Sequence, residues 1–363
     1  MAAPAVGRAM VNEALMRTVR LTAIAGVASL AAGCLVLLAG TVVTRSGDGA
    51  PERDKWKAEY VRPSAIPFPD SNPYTEAKSR LGRMLFFEPA LSGSGTRSCA
   101  SCHNPGLSWQ DNLPRGIGDT LEAMATRTPT LLNVAWVPKL AWDGHFRDLE
   151  SVAFGPITNP KIMNAPEKLV IERLSAIPGY VSAFNVAFGP GAITRRKAEL
   201  ALATFERSIV SGEAPFDRWI KGDERAISDA AKRGFDLFNG KANCAACHSG
   251  WSFSDASFHD IGVGTGDDIG RGRMFPTSVQ LRYAFKTPTL RDVARRAPYM
   301  HDGSVPTLTQ VIDLYDKGGI ERPSRAEEIK PLHLTVQEKA DLIAFLQTLT
   351  AAPSAVALTT LPR

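Results

Sequence analysis

The pentads Cys99-Ala100-Ser101-Cys102-His103 and Cys244-Ala245-Ala246-Cys247-His248 decide how this chain is read. Each is Cys-x-x-Cys-His, the spacing that attaches a c-type haem. Two thiols about one helical turn apart add to the two vinyl groups, and the adjacent imidazole ligates iron. Disulfides among the four cysteines, or a zinc site completed by His103 and His248, would use the same residue types. Neither needs a histidine directly after each second cysteine. Two covalent haems are therefore expected, bound by Cys99, Cys102, His103, Cys244, Cys247 and His248, with both histidines as iron ligands. The fifth cysteine, Cys34, lies in an apolar run far from either pentad.

Around the pentads the sequence repeats itself. Leu81-Gly82-Arg83-Met84-Leu85-Phe86-Phe87 precedes the first, and Arg233-Gly234-Phe235-Asp236-Leu237-Phe238 precedes the second. Thr128-Pro129-Thr130-Leu131 stands before Asp143-Gly144 at the offset that separates Thr287-Pro288-Thr289-Leu290 from Asp302-Gly303. Two related domains explain both echoes. No sustained period-two alternation argues for a sheet, so the class is all-α: two cytochrome c-like haem domains over residues 73–223 and 224–350, then a tail over 351–363. Helices are expected from Thr194 to Val210, from Ser228-Asp229 onward, and from Thr335 to Thr350.

Upstream, a basic segment over residues 1–20 carries Arg8, Arg17 and Arg20, and an apolar stretch follows over 21–43. A cleaved signal has an apolar core of about 7–15 residues, whereas spanning a bilayer takes about 20. The stretch therefore reads as an N-terminal transmembrane helix in the inner membrane, with the basic flank cytoplasmic and the haem domains periplasmic. Cys34 is followed by Leu35-Val36-Leu37-Leu38, where a lipidated cysteine would turn polar. Residues 44–72, rich in Pro and Gly, read as a linker. A composition of 44% hydrophobic and 22% charged residues excludes a disordered chain. The net charge of +5 comes from scattered Lys and Arg, which reads as solubility before an acidic protein partner and gives no nucleic-acid signal.

From Tyr74 to Thr350 the chain resembles the bacterial dihaem cytochrome c peroxidase and MauG family. Beyond the haem sites, the likeness covers Thr128-Pro129-Thr130-Leu131-Leu132-Asn133, Trp142-Asp143-Gly144, Gly155-Pro156-Ile157-Thr158-Asn159-Pro160, Lys286-Thr287-Pro288-Thr289-Leu290-Arg291, Pro298-Tyr299-Met300-His301-Asp302-Gly303 and Lys317-Gly318-Gly319. The resemblance implies an N-terminal haem where hydrogen peroxide reacts and a C-terminal haem that handles electrons. The partner it implies is a periplasmic redox protein or protein substrate. Trp142 resembles the tryptophan lying between the two haems. Tyr315 falls where peroxidases of the family place a methionine ligand of the C-terminal haem and MauG-like enzymes a tyrosine. A phenolate stabilises ferric or higher states, whereas a thioether favours ferrous iron. Met300 and Met274 are rival ligands.

Several family positions are changed. Ile162 stands where the resemblance places a catalytic glutamate, and an isoleucine cannot move a proton. Val152 replaces a polar glutamine. Asp119 aligns with the histidine that caps the peroxidatic haem in classical peroxidases, which implies an N-terminal haem that is five-coordinate or water-bound. Arg127 replaces an asparagine that helps bind calcium; a guanidinium cannot ligate a cation, so calcium is in doubt and a haem propionate becomes the alternative contact. His301 lies in a family motif near the C-terminal haem, while His145, His259 and His333 read as structural or surface residues. Glu167 is the nearest carboxylate downstream of Ile162, with nothing in the sequence to aim it at a haem. The expected function is MauG-like: peroxide-driven oxidation of a protein partner, with electrons or holes passing through Trp142. A cytochrome c peroxidase and a non-enzymatic electron-transfer cytochrome are the alternatives.

Overall fold

The computed structural model describes residues 50–353, 356 and 359–363. Among them run ten α-helices: α1 Ala50–Glu59, α2 Glu76–Phe86, α3 Leu149–Thr158, α4 Glu167–Ser175, α5 Pro178–Phe188, α6 Arg195–Arg207, α7 Pro215–Ile220, α8 Asp229–Asn239, α9 Leu308–Lys317 and α10 Val336–Gln347. Two-residue strands β1, Phe258–His259, and β2, Phe285–Lys286, pair antiparallel with Phe258 opposite Lys286. Long loops and short 3-10 turns carry the rest.

The helix starts follow from capping chemistry. Thr75, Thr194, Ser228 and Thr335 each turn a side-chain oxygen onto a backbone N–H of the first turn, at 3.2–3.3 Å. Each such cap contributes about 1 kcal/mol by satisfying a donor that the helix leaves open.

One helix pair organises each domain. In the first, α2 lies on α6; in the second, α8 lies on α10. Both crossings are closed by a glycine from the repeated sequence. A Cβ on Gly82 would lie 1.9 Å from the Ala201 carbonyl oxygen, and one on Gly234 would lie 2.0 Å from that of Asp341. Neither obstruction is a flexible side chain. Alanine at either site gains up to about 1 kcal/mol of helix propensity but must push the paired backbones apart, a repacking that costs about 1–3 kcal/mol or more. Gly82→Ala and Gly234→Ala are each expected to lower the thermal midpoint; an unchanged midpoint in both would contradict the close-packed crossing.

The first core gathers Leu81, Leu85 and Phe86 of α2, Phe154 of α3, Phe184 of α5 and Leu202 of α6. In the second core, Phe216, Trp219, Phe235 and Phe345 meet edge to face or tilted. Phe216 and Trp219 of α7 thus belong to the second core, although the sequence division put them in the first domain. The segment read as a linker also differs. It carries α1, and Tyr60 just beyond is fully buried, stacked on Phe253 at 4.7 Å. Arg53 of α1 holds Asp236 of α8. In the C-terminal tail, Thr359 accepts a hydrogen bond from Arg83 Nε at 2.9 Å.

The expected transmembrane helix requires correction. Residues 21–43 lie outside the described residues, and no described helix is long and apolar enough to cross a membrane. The longest, α6, has 13 residues and rises about 20 Å, against about 30 Å of bilayer hydrocarbon. The fold that stands among the described residues is two cytochrome c-like domains.

Candidate haem sites and the region between them

Both pentads fold as a 3-10 turn, Cys99–Ser101 and Cys244–Ala246, with the histidine N–H returning to the first cysteine's carbonyl at 2.9 Å in each case. The four thiols form no disulfide, and among the described residues Cys99, Cys102 and Cys244 belong to no group of three side chains that could hold a metal ion. His103 Nδ1 lies 3.3 Å from the Trp109 carbonyl and His248 Nδ1 lies 2.8 Å from that of Phe253. A carbonyl only accepts, so Nδ1 carries the hydrogen and Nε2 is left as the ligand atom. Trp109 and Phe253 reach this position with φ of 60° and 54°. Burial pushes both imidazoles below their ordinary range, which favours the neutral form that binds metal.

A largely apolar cavity opens from Cys244, Cys247 and His248, with Tyr315 of α9 and Met300 on its wall. It extends to Arg127 and Trp142 of the first domain. Met274 is exposed and does not line the cavity, so of the two rival ligands only Met300 lies on its wall. Burial raises the Tyr315 phenol above its usual range, so its proton leaves only if a cation takes its place.

The cations around this cavity test whether a haem fits. Arg127, Arg296 and Lys286 face it, and among the described residues none has a carboxylate within ion-pair distance. Arg127 Nη2 donates to Gln110 Oε1 at 2.7 Å and to the Arg296 carbonyl at 3.0 Å, while Nε of both arginines is buried without an acceptor. Burial pushes Arg296 down to about 10 and Lys286 down to about 8. Buried cations need an anion, and haem supplies two propionates. The residues present fit the group.

Trp142 sits in the same network. Its Nε1 donates to the Arg127 carbonyl at 2.9 Å, and its own carbonyl accepts from Lys286 at 2.7 Å. Arg127 N–H donates to the His301 carbonyl at 2.9 Å. His301 is buried, stacks on Phe285 at 3.5 Å and places Nε2 2.6 Å from Asp268. The indole is therefore held by backbone of the first domain, and the Trp142 carbonyl by backbone of the second.

Other residues singled out by sequence have plainer places. Ile162 packs against the first core and Val152 against a smaller cluster between α3 and α6. Asp119 fastens the Ser94 turn, accepting from its N–H at 3.2 Å. Glu167 is paired with Arg195 at 3.2 Å. His145 is exposed and paired with Asp143, and His333 is exposed. His259, expected to be structural or at the surface, lines the cavity 2.7 Å from Asp255, and that carboxylate, with the Cys247 thiol, raises it to about 10. Cys247, Asp255 and His259 form the one group of three metal-capable side chains among the described residues. The Cys247 sulfur is already assigned to haem. Arg296, Asp268 and Glu206 went unnoticed in the sequence; only Glu206 left a signal, as an acid on the apolar face of an amphipathic helix.

The family model for di-haem cytochrome c peroxidase matches residues 76–225, and that for cytochrome c matches residues 231–350. The methylamine utilization protein MauG of Methylorubrum extorquens is 53% identical over 308 residues, covering 84% of this chain and 87% of that protein. The cytochrome c551 peroxidase of Nitrosomonas europaea is 34% identical over 276 residues, 75% of this chain and 79% of its own. A crystal structure of a MauG-like protein associated with microbial copper homeostasis superposes with a TM-score of 0.75 at 31% identity, over 80% of this chain and 94% of that one. With both pentads, both imidazoles and the cationic cavity in place, the chain belongs to the dihaem cytochrome c peroxidase and MauG family, as an oxidoreductase carrying two covalently bound c-type haems.

Proposed function

We propose that this protein is a MauG-like periplasmic enzyme that uses hydrogen peroxide to oxidise a protein partner. The observation that carries the reading is Tyr315, which lines one cavity with His248. Bound there, the haems supply iron that accepts and stores oxidising equivalents. As the second ligand of the C-terminal haem, Tyr315 would favour its oxidised state. His103 would hold the first haem through Nε2, where peroxide would react. Trp142, held by Arg127 and Lys286, is the aromatic step between the two centres. The name of the Methylorubrum relative directs the search for a partner to the proteins of methylamine utilization.

A second reading, cytochrome c peroxidase, is favoured by Met300, whose thioether lines the same cavity. Steady-state assays with peroxide and reduced cytochrome c separate the two. The MauG-like reading expects slow consumption of the small donor; rapid turnover that requires a half-reduced enzyme would replace it with the peroxidase.

A further inference from the structure

Reducing hydrogen peroxide to two waters takes two electrons and two protons. A site that does so needs a group that gives up and recovers a proton. Val152 and Ile162 can do neither. Glu88, Glu150 and Glu199, buried glutamates of the first domain, all accept hydrogen bonds. Glu206 is the exception: it is 8% exposed, and its Oε2 is buried with no partner.

The placement of Glu206 points to the haem. On α6 it follows Ala203 by three residues and so shares its face. Ala203 belongs to the cluster of Val134, Leu140 and Leu149, against which Val152 packs. At the other end, the adjoining Phe205 belongs to the first core, against which Cys99 packs, and its ring centroid lies 6.1 Å from that of Trp109, whose carbonyl orients His103. An acid left buried and unpartnered on a helix that packs against α3 and the first core has a cost and no structural return.

We propose that Glu206 is the proton-holding residue of the first haem pocket, passing a proton through pocket water to the departing oxygen of peroxide and recovering it from solvent. The inference rests on the peroxide reading above; the two electrons come from the partner by way of Trp142. Burial pushes Glu206 up to about 8, with Arg207 opposing and Glu150 adding to the rise. Arg207 is pinned to Glu150 by two hydrogen bonds of 2.7 and 2.9 Å, which spends most of its charge there. From α2, Lys78 is turned to Asn72 and feels Glu150 and Arg207. Cys99 becomes an uncharged thioether once haem is attached.

The test compares the wild-type holoprotein with Glu206→Gln and Glu206→Asp. The wild-type reaction with peroxide is expected to slow as pH rises through about 8. Glu206→Gln is expected to react roughly a hundredfold more slowly with no such pH step, and Glu206→Asp to recover some of both. A second readout needs no turnover: the midpoint potential of the first haem falls with rising pH near 8 in wild type and is flat in Glu206→Gln. A wild type inert to peroxide would sink the peroxide reading alone; a potential slope that survives in Glu206→Gln overturns the role of Glu206 whatever the turnover.

Stability gives a further sign. The folded chain holds the Glu206 proton up to about 8, whereas an ordinary glutamate loses it near 4.5. Stability present below 4.5 is therefore lost as pH rises to about 8. Glu206→Gln is expected to flatten this stretch of the thermal-midpoint profile and to be the more stable protein above it; a profile unchanged by the substitution counts against a buried, protonated acid.

Discussion

Substituting Tyr315 by methionine is expected to make the ferrous C-terminal haem easier to form, raising its midpoint potential by on the order of 0.1 V within the ~0.8 V range that axial ligands span. The physical cause is charge. A phenolate is an anionic ligand that stabilises ferric and higher iron, and a thioether is neutral and soft. Tyr315 lines the cavity with His248 on an apolar wall that includes Leu342 and Leu346, so little solvent screens the difference. Met300 lines the same cavity, and Met300→Leu supplies the control. With Tyr315 as ligand, Met300→Leu leaves the potential nearly unchanged. A large shift in Met300→Leu and none in Tyr315→Met would transfer the ligand role and favour the peroxidase.

Trp142→Phe is the second large effect. The substitution keeps an aromatic ring but loses the indole N–H, which leaves the Arg127 carbonyl without its donor at a cost of about 1–3 kcal/mol. Phenylalanine is also far harder to oxidise than tryptophan, so electron exchange between the haems is expected to slow by on the order of tenfold or more, about 1.4 kcal/mol of barrier per decade. Rapid-mixing spectroscopy that resolves the two haems measures this. Unaltered exchange in Trp142→Phe would reduce Trp142 to a packing residue.

The haem centres were legible because their chemistry is local. Five consecutive residues fix two thioethers and an iron ligand, and the carbonyl that orients each imidazole lies only six or five residues on. Helix starts at Thr194, Ser228 and Thr335 were readable for the same reason, since a cap is decided by a residue and the turn it faces. Placement on a foreign domain left no such mark. Helix α1 is mostly polar, and its place on the second core depends on Trp56 and Tyr60 meeting Phe235, about 180 residues away. Likewise Arg296 reads as one of many scattered cations until the fold buries it beside Arg127. The membrane helix was inferred from apolar length alone, and no described helix has that length.

Hydrogen peroxide added to the purified diferric protein, with the haem spectrum followed from the moment of mixing, is the most direct trial of the MauG-like assignment. A long-lived oxidised species should form rapidly without prior reduction, because a phenolate ligand at Tyr315 favours oxidised iron. No reaction of the diferric form, and no turnover after half-reduction, would contradict the assignment and leave an electron-transfer cytochrome.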